Sequence, residues 1–250
     1  MGTGPDRVLI DTGEGKAEWT AALVRLSQSE SFSIGHVVCT HYHHDHCGGC
    51  ADVLASFPSA KLHKIPFPSQ QQQQQQQHVH YEPLAHGDTL TTQGATLQVV
   101  ATPGHTPDHL CLFLHEEQAI FTGDCILGQG TTVFANLREY IASLQKLLPF
   151  NAKVLYPGHG PVVPEGHAKV REYIDHRLAR EKQIVDHLVA CDAQTVPQIV
   201  AELYKAYPAH LHKPAEGSVL LHLTKLLEDG RVAHDQDSGT WSLLPLKAMS

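Results

Sequence analysis

The 250-residue chain has no long hydrophobic run. Nowhere do about 18 apolar residues follow one another, so no membrane-spanning helix is expected. Its first residues, Met1 to Arg7, lack the apolar core of a signal peptide. Positive charge is scarce. Lys and Arg number 18 against 26 Asp and Glu, and the formal net charge of -8 excludes a general nucleic-acid binder acting through overall charge. Local basic patches stay open. Aromatic residues make up only 6% of the chain, which limits stacking surfaces for bases. The six cysteines, Cys39, Cys47, Cys50, Cys111, Cys125 and Cys191, are scattered as in a reduced, intracellular chain. Cys47-Gly-Gly-Cys50 has no second C-x-x-C to complete a zinc knuckle. It reads either as a redox pair or, preferably, as two small side chains in a glycine-rich turn.

Hydrophobic residues are plentiful, at 42%, enough to bury one large domain or a large and a small one. Short apolar runs predict strands at Val8–Ile10, His36–Cys39, Leu97–Ala101, Leu110–Leu114, Ala119–Thr122 and Val154–Tyr156. Helical periodicity covers Glu18–Leu26 and Asn136–Leu148, the second with Asn136 as N-cap and Pro149 as its stop. Strands and helices mixed in this way predict a layered α/β domain over residues 1–164. A tract of eight glutamines at 70–77 is expected to form a surface loop.

After about residue 165 the pattern changes. One long helix is predicted from Glu165 to about Ala190. A capping box at Thr195-Val-Pro-Gln198 opens a second, and a third runs from about Glu216 to Glu228. Two strands, Arg231–Asp235 and Thr240–Leu244, follow. Three helices and a hairpin are the order of a winged helix, so residues 165–250 are expected to hold a helical linker and a winged-helix-like domain. Lys213, Lys225 and Arg231 are the sparse basic residues around its third helix, fewer than groove binding normally needs.

Histidine stands out, with 20 residues. Thr40-His-Tyr-His-His-Asp-His-Cys-Gly-Gly49 follows a predicted strand and places His41, His43, Asp45 and His46 within six residues. Three further turns after strands supply single candidates: Thr102-Pro-Gly-His105, Thr122-Gly-Asp124 and Tyr156-Pro-Gly-His159. Each alone is common loop chemistry; all in order form a ligand set. Five histidines and two carboxylates exceed one tetrahedral zinc site. Two divalent cations sharing a carboxylate fit the count, and zinc, iron or manganese would accept these donors. His63, His80, His86, His115, His167, His210 and His234 carry no motif and read as ordinary histidines.

This constellation resembles the metallo-β-lactamase superfamily, whose H-x-H-x-D-H motif stands here as His41-Tyr-His43-His-Asp45-His46. The resemblance implies an αββα sandwich. It implies one metal, zinc by preference, on His41, His43 and His105, a second on Asp45, His46 and His159, and Asp124 as the bridge, with His44 outside the shell. Two such cations roughly 3.5–4 Å apart hold a hydroxide and lower its pKa toward about 7; Asp45 would also orient it. Only 34 residues lie between Asp124 and His159, too few for a β-CASP insertion. Glyoxalase II types share the motif but carry a different C-terminal unit. Phe121–Phe134 and Leu220–Leu226 resemble the β-lactamase-like protein 2 branch.

That branch implies an endoribonuclease acting on single-stranded RNA, in the mitochondrial matrix for animal members, although no targeting segment is visible. It also implies early strands of the first sheet that a chain opening close to Leu9-Ile-Asp-Thr-Gly13 is expected to lack. A thioesterase using the same dinuclear site is the alternative, and a non-catalytic metal- or nucleic-acid-binding module a third reading. The oligomeric state is not readable.

Overall fold

The computed structural model describes residues 1–67 and 79–245. The glutamine tract at 70–77 lies outside the described residues. Strands β1 (Asp6–Ile10), β2 (Ser33–Val38), β3 (Lys61–Lys64) and β4 (Tyr81–Pro83) form a parallel sheet in that order. Helix α1 (Ala17–Ser29) crosses from β1 to β2; α2 (His44–Cys47) and α3 (Cys50–Ser56) cross from β2 to β3. The second sheet has the order β10-β9-β8-β7-β6-β5, built from β5 (Thr89–Thr92), β6 (Ala95–Ala101), β7 (Leu110–Leu114), β8 (Ala119–Gly123), β9 (Val154–Pro157) and β10 (Val163–Pro164). Its pairs are antiparallel except β8 with β9, where α4 (Leu137–Leu147) makes the crossover.

Strand alternation sorts the side chains into layers. On β7, Leu110, Leu112 and Leu114 face the other sheet and meet Val8, Val38, Leu97 and Val99. Cys111 and Phe113, the residues between, face outward onto α4 through Leu137, Tyr140, Ile141 and Leu144. On β2, Val38 joins the inter-sheet core while Val37 packs with Cys50, Val53 and Phe57 beneath α3. Helix, sheet, sheet, helix is the result: an αββα sandwich.

Helix α5 (Gly166–Ala190) spans two cores. Val170, Tyr173 and Ile174 in its first half join the outer layer of the sandwich. Ile184 and Leu188 in its second half join α6 (Val196–Leu203), α7 (His212–Glu228) and the sheet β11 (Gln194–Thr195), β13 (Thr240–Leu243), β12 (Val232–Asp235). This second unit is the winged helix. Its capping box is formed, with Gln198 Oε1 accepting from the Thr195 backbone at 2.8 Å.

One helix boundary differs from expectation. Helix α7 starts at His212, not near Glu216, because Pro214 sits in its first turn, where no amide donor is needed. Helix α4 ends at Leu147, ahead of Pro149 as expected, and Pro149 itself lies in a 3-10 turn, Leu148–Phe150, that ends at left-handed Asn151. Strands β3, β4 and β5 were not expected. β3 buries Leu62, His63 and Lys64 and so shows no apolar run, and β4 carries Pro83 at the sheet edge. No helix among the described residues is long and apolar enough to cross a membrane.

Candidate metal centre

Every candidate ligand lies just beyond the C-terminal end of a strand. His41, His43, Asp45 and His46 follow β2, His105 follows β6, Asp124 follows β8 and His159 follows β9. The structure brings all seven together in two groups, His41, His43, His105 and Asp124, and Asp45, His46 and His159; within each, the donor atoms lie within 4.8 Å of one another. Nδ1 of His43 is 3.0 Å from Nε2 of His41 and 3.1 Å from Nε2 of His105. Nε2 of His159 is 2.9 Å from Asp45 Oδ2 and 3.3 Å from Nε2 of His46. Asp124 stands between the groups. Its Oδ1 is 3.4 Å from His46 and 3.6 Å from His159, and its Oδ2 is 3.7 Å from His105. His44 is exposed and belongs to neither group.

The outer ring nitrogens fix the tautomers. His105 donates from Nδ1 to the Val133 carbonyl at 2.6 Å. His46 donates from Nδ1 to Asp11 Oδ2 at 2.7 Å. His41 Nδ1 lies 3.0 Å from the Thr40 hydroxyl, which itself donates to Asp11 at 2.9 Å. All three Nε2 atoms therefore point inward, as they would to give a metal their lone pairs once His46 has lost its second proton. Buried Asp124 Oδ1 has no hydrogen-bond partner. Such an oxygen among inward lone pairs fits a cation, and the cluster is suited to binding metal ions.

Electrostatics agree with this. Burial opposes charge on His46, but the hydrogen bond to Asp11 and the attraction of the Asp124 carboxylate 3.4 Å away outweigh it and hold its pKa up at about 10. Burial of Asp124 works the other way, yet the His46 contact keeps its carboxyl below the usual range. Burial, with His109 and His46 beside it, drives His41 well down, and burial with His105 lowers His43. Without a cation, His46 is thus held protonated beside ionised Asp124, while burial disfavours charge on His41 and His43; a divalent cation would displace the His46 proton.

Two functional neighbours escaped sequence reasoning. Asp11 lies in the left-handed region at φ 59, just after β1, and supports both His46 and Thr40. The signal was present: an aspartate with Gly13 at a strand end, the same grammar as Gly123-Asp124. His109 is fully buried, with Nδ1 2.8 Å from Thr102 Oγ1 and Nε2 accepting from the Asp124 amide at 3.1 Å. It fixes the backbone that presents Asp124. Cys47 and Cys50 do not pair with each other. Cys50 Sγ lies 3.4 Å from Cys39 Sγ, while Cys47 donates to the Tyr42 carbonyl.

The sandwich and this site define a class. Residues 3–159 match the family model "Metallo-beta-lactamase superfamily" and residues 195–241 match "Beta-lactamase associated winged helix domain", and the chain belongs to the metallo-β-lactamase superfamily. It is a metallo-hydrolase of that family. Within it, the chain is 40% identical over 233 residues to the β-lactamase-like protein 2 homolog of Caenorhabditis elegans, covering 93% of this chain and 78% of that protein. It is 45% identical over 184 residues to Thioesterase pkgB of Emericella nidulans, covering 73% of this chain but 51% of that one. Among solved structures, a metallo-β-lactamase family protein from Thermus thermophilus superposes with a TM-score of 0.71 at 20% identity, over 98% of this chain and 92% of that chain. The last likeness concerns the fold alone.

Proposed function

We propose that the protein is a metal-dependent endoribonuclease that cuts phosphodiester bonds in single-stranded RNA. The observation that carries this reading is α5, whose two halves belong to the two cores and so fix a winged helix to a paired His/Asp site. The likeness to β-lactamase-like protein 2 extends over 93% of the chain, against 73% for the thioesterase. Beside the site lies an open cavity of about 290 Å³, walled by Trp19, Phe121, Tyr156, Asp45 and His159. Aromatic faces next to a cation site suit an unpaired, stackable base.

In this reading His41, His43 and His105 would hold one divalent cation, zinc by preference, Asp45, His46 and His159 would hold a second, and Asp124 would be shared. Bound there, the cations supply a water activated at neutral pH and positive charge against the phosphoryl oxygens. Asp45, at the partly exposed mouth and 2.9 Å from His159, would accept a hydrogen bond from that water and orient it. Asp11 keeps His46 turned so that Nε2 faces the cavity.

The test is cleavage of an unstructured RNA by the purified, metal-loaded chain. Activity should vanish in Asp124→Ala and His43→Ala. Cleavage persisting in both would overturn the reading. The 45% identity to a thioesterase favours a second reading, hydrolysis of acyl thioesters at the same site. Assaying acyl-thioester and RNA side by side on one preparation separates the two.

A further inference from the structure

The basic residues of the winged helix are engaged within the fold. Lys225 lies 2.7 Å from both Glu181 and Asp229, Arg231 lies 3.0 Å from Glu181, and Lys213 lies 2.6 Å from Glu216. Arg177, on the α5 helix that joins the two cores, differs. It is only 7% exposed, its buried Nε has no hydrogen-bond partner, and no carboxylate pairs with it among the described residues. Its guanidinium carbon stands 4.7 Å from the Phe134 ring centroid; Tyr140 is a side-chain hydrogen-bond partner of the guanidinium and Tyr173 lies close by, both uncharged. A buried guanidinium without a counterion is costly unless an anion comes to it.

Arg177 lines a cavity of about 130 Å³ together with His176, Tyr173 and Glu172 from α5 and Gly130 and Thr131 from the loop after Asp124. The space would take about four waters, too small for a nucleoside but sufficient for a phosphoryl group. Glu172 is engaged by Lys169 at 2.8 Å, which moderates its charge at the rim. The Tyr173 hydroxyl holds the loop wall, 3.1 Å from the Gly130 carbonyl. The same loop reaches the metal centre. Thr132 donates to the Asp124 carbonyl, and the Val133 carbonyl accepts from His105.

We propose that this cavity is a phosphate subsite in which Arg177, assisted by His176, takes a phosphodiester of the substrate other than the one cut. That the phosphodiester belongs to RNA rests on the function proposed above; the subsite itself rests on Arg177. A planar fork meeting tetrahedral oxygens gives the pairing its geometry.

The subsite is tested on the metal-loaded full chain by titrating inorganic phosphate and following the Gly130 and Thr131 amides and the Arg177 Nε–H by NMR. These signals should shift saturably, with affinity at least about tenfold weaker in Arg177→Met and Thr131→Asp. Thr131 is on an exposed loop, so its variant keeps the fold where Arg177→Met loses a packing contact. Shifts confined to the neighbourhood of His43 and His105 overturn the subsite.

The source of the phosphate is tested with a non-cleavable single-stranded oligonucleotide. Its log affinity against log salt should lose about 0.7 in slope in Arg177→Met and recover in Arg177→Lys. An unchanged slope with the phosphate shifts intact overturns RNA as the occupant, and weakened binding of an acyl-phosphopantetheine then identifies the other source. No oligonucleotide binding by the unmodified chain, with the phosphate shifts intact, overturns the RNA reading and leaves the subsite standing.

Discussion

Asp11 Oδ2 lies 2.7 Å from Nδ1 of His46, across 35 positions of sequence, and the same carboxylate accepts from the Thr40 backbone and hydroxyl. One residue thus orients His46 in one donor group and the hydroxyl beside His41 in the other. Asp11→Asn should leave a folded protein whose cation affinity falls about 10- to 100-fold. Competition against a chromophoric chelator measures it. Unchanged affinity would mean that His46 is oriented by its packing alone.

Much of this was legible in the sequence, for an identifiable reason. Strands facing two packed layers read as apolar runs, and β6, β7 and β8 alternate between the inter-sheet core and α4. Candidate ligands that end such strands are announced by glycine, as at Gly104-His105 and Gly123-Asp124. β3 was hidden because its burial is spent on His63 and Lys64, the latter paired with fully buried Asp108 at 3.2 Å. Polar burial of that kind leaves no hydrophobic pattern. Asp11 was hidden because it touches a candidate ligand, His46, and does not belong to either donor group. Arg177 was hidden because a helical arginine reads as surface; only the fold places it beneath Phe134.

Gly104 occupies φ +133, and a Cβ there would meet Tyr140 Cα at 2.4 Å and its amide nitrogen at 2.5 Å. These are backbone atoms of α4, so nothing flexible can give way. Its carbonyl also accepts the amides of Ala135 and Asn136 at the start of α4. Gly104→Ala should cost about 2–4 kcal/mol of stability, from overpacking and a strained backbone together. It should also weaken cation binding, because His105 is the next residue. Urea unfolding and metal analysis of the same sample report both. A stable variant with full metal content would show that α4 can move away from the site.

His222 is fully buried in the winged helix with neither ring nitrogen hydrogen-bonded. Burial, with Arg177, Arg180 and Lys225 nearby, pushes its pKa down to about 3 from an ordinary 6.5. Between those values the unfolded chain carries a proton that the folded chain does not. Stability from this group is therefore complete above pH 6.5 and declines as pH falls toward 3, by about 1.4 kcal/mol per pH unit. His222→Leu keeps the volume and removes the proton site. Its unfolding free energy relative to the parent should rise by that amount for each unit below pH 6.5, measured by urea titration. Parallel pH profiles for the two proteins would show that His222 is already protonated in the fold.

Asp124 and Asp45 offer carboxylates to the same centre, but their geometry predicts different losses. Asp45 lies 2.9 Å from His159 and 3.5 Å from His46, both in one group. Asp124 divides its oxygens, Oδ1 toward His46 and His159 and Oδ2 toward His105. Asp45→Asn should therefore weaken one cation and leave its neighbour in place, whereas Asp124→Asn should weaken both. Elemental analysis after dialysis against a weak chelator should give about one cation per chain for the first variant and fewer for the second. Hydrolysis should fall by about 10²-fold or more in each, the scale of losing one fixed electrostatic partner of the transition state. If Asp124→Asn keeps one cation as tightly as Asp45→Asn does, the carboxylate serves a single metal. The two groups would then be joined by something other than Asp124.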